Sequence, residues 1–139
     1  MKIYFCGSIG GGRQDAHLYG RLIKKLEKYG TVLTTHVGDL HVIENEKDMT
    51  DKEIHDRDVS WLEQADAVVA EVTQTSMGVG YEIGRAIGMK KPVLCVFRPD
   101  TGKEVSAMVG GCDDGKSVIF KRYKEEEIDG IFAEFFKSL

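Results

Sequence analysis

Asp66-Ala67-Val68-Val69-Ala70-Glu71-Val72-Thr73-Gln74-Thr75-Ser76-Met77-Gly78-Val79-Gly80-Tyr81-Glu82-Ile83-Gly84-Arg85-Ala86-Ile87-Gly88 is the stretch whose reading decides the fold. Ala67 to Val72 is a short, mostly apolar run rich in β-branched valine, the pattern of a strand buried on both faces. Thr73 to Ser76 interrupt it with small polar residues, Gly78 and Gly80 follow, and Ile83, Ala86 and Ile87 then recur at helical spacing. The sequence predicts a strand, a glycine-bearing turn and a helix. In α/β proteins such a corner binds ligands, because helix-start amides point outward unpaired and glycine lets a ligand approach the backbone. Glu82 is expected at or just inside the helix start. Two readings of it stand open on position alone: a side chain complementing the helix dipole for a few tenths of a kcal/mol, or a carboxylate aimed into a pocket as a nucleophile.

The flanking segments repeat the alternation. Residues 2–6 form an apolar strand, followed by Gly7-Ser8-Ile9-Gly10-Gly11-Gly12-Arg13 and a helix marked by Leu18, Leu22, Ile23 and Leu26 that ends near Gly30. Residues 31–35 read as a second strand, 36–48 as a connecting loop with at most a short helix, and about 50–64 as a helix with Ile54, Val59, Trp61 and Leu62 on its apolar side. Further strands are expected at 92–97 and 117–120, a short helix at 104–109 and an amphipathic helix from about 125 to 136. Strands alternating with helices predict an α/β fold: a doubly wound, flavodoxin-like, five-stranded parallel sheet with helices on both faces. Every strand-to-helix loop then shares one edge, so Tyr4, the 7–13 loop, the 73–82 corner and the 98–106 loop converge there.

Composition bounds the function classes. The 139 residues suit one domain, 1–139, with a real core and no linker or repeat. Nineteen basic against twenty-three acidic residues give a net charge of −4 and no global basic field for a nucleic-acid polymer. No apolar run approaches membrane-spanning length, and residues 1–6 are too short for a signal segment. The three cysteines, Cys6, Cys95 and Cys112, lack metal-like spacing, and two sit in apolar runs. Buried free thiols in a reducing cytoplasm are expected.

Neither glycine loop has dinucleotide spacing, since Ile9 stands where G-x-G-x-x-G needs glycine, and the P-loop lysine is missing. A single phosphate held by backbone amides and by Ser8 and Ser76 is the reading they support together. Periodicity does not pick Asp58 from the other acidic residues of its helix. The four histidines, His17, His36, His41 and His55, have no metal spacing.

Tyr4 to Ile9 with Gly11 to Arg13, His55 to Leu62, Ala65 to Gly84, and Phe97-Arg98-Pro99 with Ser106-Ala107-Met108 form an ordered set. Over nearly the whole chain it resembles the 2'-deoxynucleoside 5'-phosphate N-hydrolases, relatives of the nucleoside 2-deoxyribosyltransferases. The resemblance implies cleavage of the N-glycosidic bond of a deoxynucleoside monophosphate. Glu82 would be the nucleophile forming a covalent glycosyl-enzyme, Asp58 the partner that assists the leaving base and its replacement water, and Tyr4 the group orienting Glu82. It also implies phosphate-site roles for Ser8, Ser76 and Gly78. Substrate contacts are further expected from Ile9, Gly10, Arg13, His36 and Met108, and a homodimer in which Ser106 reaches the neighbouring site. Animal members carry an arginine where this chain has Gly10, which removes a charge-assisted phosphate contact. No metal or redox cofactor is required by such chemistry. A close carboxylate pair is expected to leave Glu82 anionic near the helix start and Asp58 as the proton carrier. A deoxyribosyltransferase acting on unphosphorylated nucleosides and a non-catalytic nucleotide sensor are the alternatives.

Overall fold

The computed structural model describes residues 1–139. Its five strands are β1 (Lys2–Cys6), β2 (Thr31–Val32), β3 (Ala67–Glu71), β4 (Val93–Phe97) and β5 (Val118–Arg122). They form one sheet in the order β2-β1-β3-β4-β5, and every pairing is parallel. The helices are α1 (Ala16–Leu26), α2 (Val42–Glu46), α3 (Asp51–Gln64), α4 (Met77–Gly88), α5 (Ala107–Gly110) and α6 (Ile128–Lys137). No helix is long and apolar enough to cross a membrane.

Strand alternation divides the core in two. Ile3, Phe5, Ala67, Val69, Leu94 and Val96 pack against α1 and α6 on one face. Tyr4, Cys6, Val68, Ala70, Val93, Cys95 and Phe97 pack towards α3 and α4 on the other. The continuous apolar runs of β3 and β4 follow from this, since both faces are covered and every residue of both strands is buried. Helix α1 leaves β1 for one face and α4 leaves β3 for the other, so the crevice between β1 and β3 is the switch point of the sheet, where ligands bind in this architecture.

The second strand is shorter than its sequence suggests. It ends at Val32, and Thr35–Gly38 winds into a 3-10 turn. Thr34 explains the stop: its buried Oγ1 accepts from the amide of Phe5 and donates to the carbonyl of Phe5, each at 2.8 Å. A side chain thereby satisfies backbone groups that a longer β2 would have paired. The 36–48 segment carries α2, and the fifth strand starts later and runs two residues further than expected. The short helix begins only at Ala107, capped by Ser106, and the last helix is divided into a 3-10 turn at Glu125–Glu127 and α6. Helix α3 starts where the sequence places it because Thr50 and Glu53 form a reciprocal cap, each side chain accepting from the other residue's amide at 3.1 Å.

Replacing Thr34 with valine keeps its shape and orphans the buried amide and carbonyl of Phe5. We expect a loss of about 2–4 kcal/mol, read as a lower urea midpoint at unchanged slope.

Candidate active site

The site is built where β1 and β3 end. Even parity on β1 turns Tyr4 towards α4, and the Tyr4 hydroxyl, on a side chain only 1% exposed, donates a hydrogen bond to Glu82 Oε2. Helix α4 is held in register by its N-cap, where the amide of Val79 donates to Ser76 Oγ at 3.3 Å. Glu82 is the sixth residue of that helix and sits in its second turn, deeper than the helix-start position expected from sequence. The dipole, which acts within the first turn, therefore does not keep it anionic. Removal from water raises its pKa to about 7, with the charge of Asp58 adding to the rise and the Tyr4 hydroxyl opposing it. Burial thus counters the expected hold on the anion and brings Glu82 to the boundary between its two forms near neutral pH. Burial and the neighbouring Glu82 charge push the Tyr4 phenol upward, so it stays a hydrogen-bond donor.

A cleft of about 580 Å³ runs past these groups, bordered by the 7–11 loop, the Thr75–Val79 corner, Ile54, Glu46, Asp58 and Glu82. A chamber of about 230 Å³ between α3 and α4 opens on the same pair and adds Tyr4, His55, Leu62 and Tyr81. Asp58 and Glu82 line both. Ile9, Gly10, Ser76 and Gly78 line the cleft as well. Gly11 belongs there for a steric reason: a Cβ on it would lie 2.5 Å from the carbonyl oxygen of Thr75 and 2.9 Å from Ser8 Oγ. The two loops touch through that glycine. At Gly10 nothing lies within 4 Å of where a Cβ would be.

The remaining predicted site residues sit elsewhere. Ser8 is fully buried, its amide donates to the Tyr19 hydroxyl at 3.1 Å, and its own Oγ has no partner. Arg13 does not face the cleft. Its guanidinium donates to the carbonyls of Ser8, Val37 and Asp39 at 2.8–2.9 Å, lacing the first glycine loop to the 3-10 turn. His36 stands behind Asp58, 4.0 Å from its Oδ1, beside Trp61; burial lowers its pKa. Ser106 and Met108 lie apart from Glu82, in a groove with Met77, Ile87 and Cys112. No three His, Cys, Asp or Glu side chains converge as a metal ion would need.

Sequence reasoning missed two clusters. Glu46, assigned to a loop, enters the cleft on α2, and Arg57 ties it to Asp58. Glu71, read as part of an apolar run, is fully buried and accepts from Tyr123 Oη at 2.6 Å, Arg98 Nε at 3.1 Å and the Thr73 amide at 2.7 Å. Arg98 also reaches Asp15 at 2.6 Å, fastening the start of α1 to the ends of β3 and β4. The signal available in the sequence was a charged residue inside an otherwise apolar strand, which demands a buried partner.

Fold and cleft define a class: a flavodoxin-like parallel α/β protein with a tyrosine-held carboxylate and a second carboxylate at its switch point. A sequence model described as nucleoside 2-deoxyribosyltransferase matches residues 3–118. The chain is 54% identical over 140 residues to a 5-hydroxymethyl-dUMP N-hydrolase of Tetraodon nigroviridis, covering 99% of each chain. It is 47% identical over 138 residues to the Homo sapiens 5-hydroxymethyl-dUMP N-hydrolase, covering 98% of this chain and 79% of that one. A Clostridium botulinum CMP N-glycosidase has the same fold, with a TM-score of 0.72 at 18% identity over 97% of this chain and 99% of that one. The protein belongs to the nucleoside 2-deoxyribosyltransferase family.

Glu82 binds its proton more tightly folded than unfolded, where its pKa is near 4.5. Its contribution to stability is present below that value and is lost as pH rises towards 7. Glu82→Gln should therefore leave stability nearly unchanged at pH 5 and raise it by about 1–3 kcal/mol at pH 8, measured by denaturant titration at both pH values.

Proposed function

We propose that this protein hydrolyses the N-glycosidic bond of a 2'-deoxynucleoside 5'-monophosphate, releasing free base and 2-deoxyribose 5-phosphate. The observation that carries the reading is the Tyr4 hydroxyl fixed on Glu82 in a cleft that Asp58 also lines; the names of its relatives agree with it. Ionised Glu82 attacks the anomeric carbon as the C–N bond breaks, and its negative charge stabilises the oxocarbenium-like transition state. The base leaves with a proton, assisted by Asp58. Water activated by Asp58 then attacks the same carbon, and the ester bond to Glu82 breaks to restore the carboxylate. Tyr4 orients the nucleophile and keeps its pKa from climbing further.

The phosphate is held by the outward amides of Met77 and Gly78 at the start of α4, the Ser76 hydroxyl and the loop at Ile9 and Gly10, while Ser8, buried with its amide on Tyr19, supports that loop from behind. No lysine or arginine lines this cleft, and Arg13 is occupied with carbonyls, so amides and hydroxyls do the binding. The same lack of a cation favours, as a second reading, base exchange on unphosphorylated deoxynucleosides. Met77 and Met108, 93% and 84% exposed, border the groove that holds Ser106. This supports a homodimer in which Ser106 and Met108 complete the neighbour's site. The single domain 1–139 works in the cytoplasm, where free Cys6, Cys95 and Cys112 stay reduced.

Incubation with deoxyguanosine monophosphate, 5-hydroxymethyl-dUMP, guanosine monophosphate and deoxyguanosine, with and without adenine, separates the readings by chromatography. Base release from a deoxy monophosphate, abolished in Glu82→Ala, is the expected result. Base exchange on deoxyguanosine would make the protein a transferase, and nucleotide binding without turnover a sensor. Because Glu82 must be ionised, kcat/KM should fall as pH drops below about 7. Tyr4→Phe removes the bond that lowers the Glu82 pKa, so that acid limb should move to higher pH while the maximal rate falls about tenfold or more.

A further inference from the structure

Asp58 has a dedicated holder. Arg57 donates through Nε to Asp58 Oδ1 at 2.9 Å, and its Nη2 lies 2.9 Å from the same oxygen. No other protein donor bonds the carboxylate, and Oδ2 makes no hydrogen bond within the chain. Neighbouring residues on a helix point about 100° apart and do not ordinarily meet. The contact is imposed from outside α3. Nη2 also bonds Glu46 Oε2 on α2 and lies 3.2 Å from His36 Nε2, while Nη1 contacts Met49 Sδ at 3.5 Å. The guanidinium carbon stands 4.9 Å from the centre of the Trp61 ring, in range for a cation–π contact. These partners bend the arginine back along the helix and keep it there.

We propose that Arg57 is the positioning residue for Asp58, holding Oδ1 against the cleft wall and leaving Oδ2 as the oxygen free for substrate. The same guanidinium joins α2 to α3, so the outer wall of the cleft and the carboxylate are set by one group. Glu46 completes the arrangement: with its side chain 12% exposed and Arg57 at 25%, the pair is shielded enough for its attraction to exceed that of a surface ion pair. Arginine suits the task better than lysine, because one edge of the planar guanidinium donates to Asp58 through Nε while Nη2 reaches Glu46 and His36. A purely structural Arg57 would instead make the wall its only dependent.

The inference rests on the hydrolytic reading for its kinetic consequence but not for its geometric one, and the test separates them. Arg57→Met keeps the length and loses the fork; Arg57→Lys keeps the charge; Arg57→Ala leaves space for methylguanidinium. With the deoxy monophosphate that the wild type hydrolyses, we expect Arg57→Met to lower kcat by about tenfold to a hundredfold, the scale of a misplaced catalytic group, with KM changed less than about threefold. Arg57→Lys should recover part of that loss, and added methylguanidinium should restore turnover in Arg57→Ala but not in Arg57→Met. A crystal structure of folded Arg57→Met, or of Arg57→Lys if the first is unstable, should show Asp58 in a different rotamer. Unchanged kcat, a loss carried by KM alone, or Asp58 still in place would overturn the proposal. If the wild type hydrolyses no deoxynucleoside monophosphate, the functional reading falls, and the position of Asp58 in the variant structure still decides the role of Arg57.

Discussion

The hydroxyl of Tyr4 meeting the carboxylate of Glu82 is the contact on which the site depends, because it requires three separate alignments at once. β1 must present an even-numbered residue to the α4 face, β3 must lie beside β1 in parallel register, and α4 must begin at the turn that Ser76 caps. A shift of one residue in the strand would send Tyr4 to the other face of the sheet. A shift of one residue in the helix would turn Glu82 by about 100° away from it. The energetic character of the contact is also particular. Burial drives the carboxyl towards its neutral form while a phenol donor favours the anion, and the balance falls near neutrality, the range that the proposed nucleophilic role would use.

A second buried arrangement keeps the edge of the sheet in shape for that contact. Glu71 has odd parity on β3 and so faces away from Glu82, where Arg98, Tyr123 and the Thr73 amide meet it. Such a charge cluster adds little net stability over an apolar replacement, but losing one partner would leave a charge without compensation. Its value is geometric. Through Asp15 and Arg98 it fixes the segment that follows the first glycine loop against the ends of β3 and β4. Arg13 does the same for the other side of that loop through three backbone carbonyls. The loop is thereby held largely by side chains, with the Ser8 amide on Tyr19 and the Gly12 amide on the Ile9 carbonyl as its own backbone contribution.

Charge in the cleft has a distinct logic. Glu46, Asp58 and Glu82 all line it and no basic side chain does. For the proposed reaction this would separate two demands: amides and a serine hydroxyl at the α4 start for the anionic group, and carboxylates for the positive charge that develops on the sugar. Arg57, behind the wall, moderates the repulsion between the acids without presenting its charge to the ligand.

The local patterns in the sequence determined a great deal. Valine-rich runs, the glycine corner at 73–80 and helical repeats of Leu and Ile specify a parallel α/β sandwich, because secondary-structure periodicity is written in neighbouring residues. Resemblance then singled out Tyr4, Asp58 and Glu82, which the fold gathers around one cleft. What only the tertiary structure decided is everything that depends on residues distant in the chain. Thr34 ends β2 because of Phe5; Glu71 is tolerable because of Arg98 and Tyr123; Arg57 grips its own neighbour because Glu46 and Trp61 bend it there. The depth of Glu82 belongs with these, since its ionisation follows from exclusion of water by surrounding elements, a property of the packed whole that no local pattern encodes.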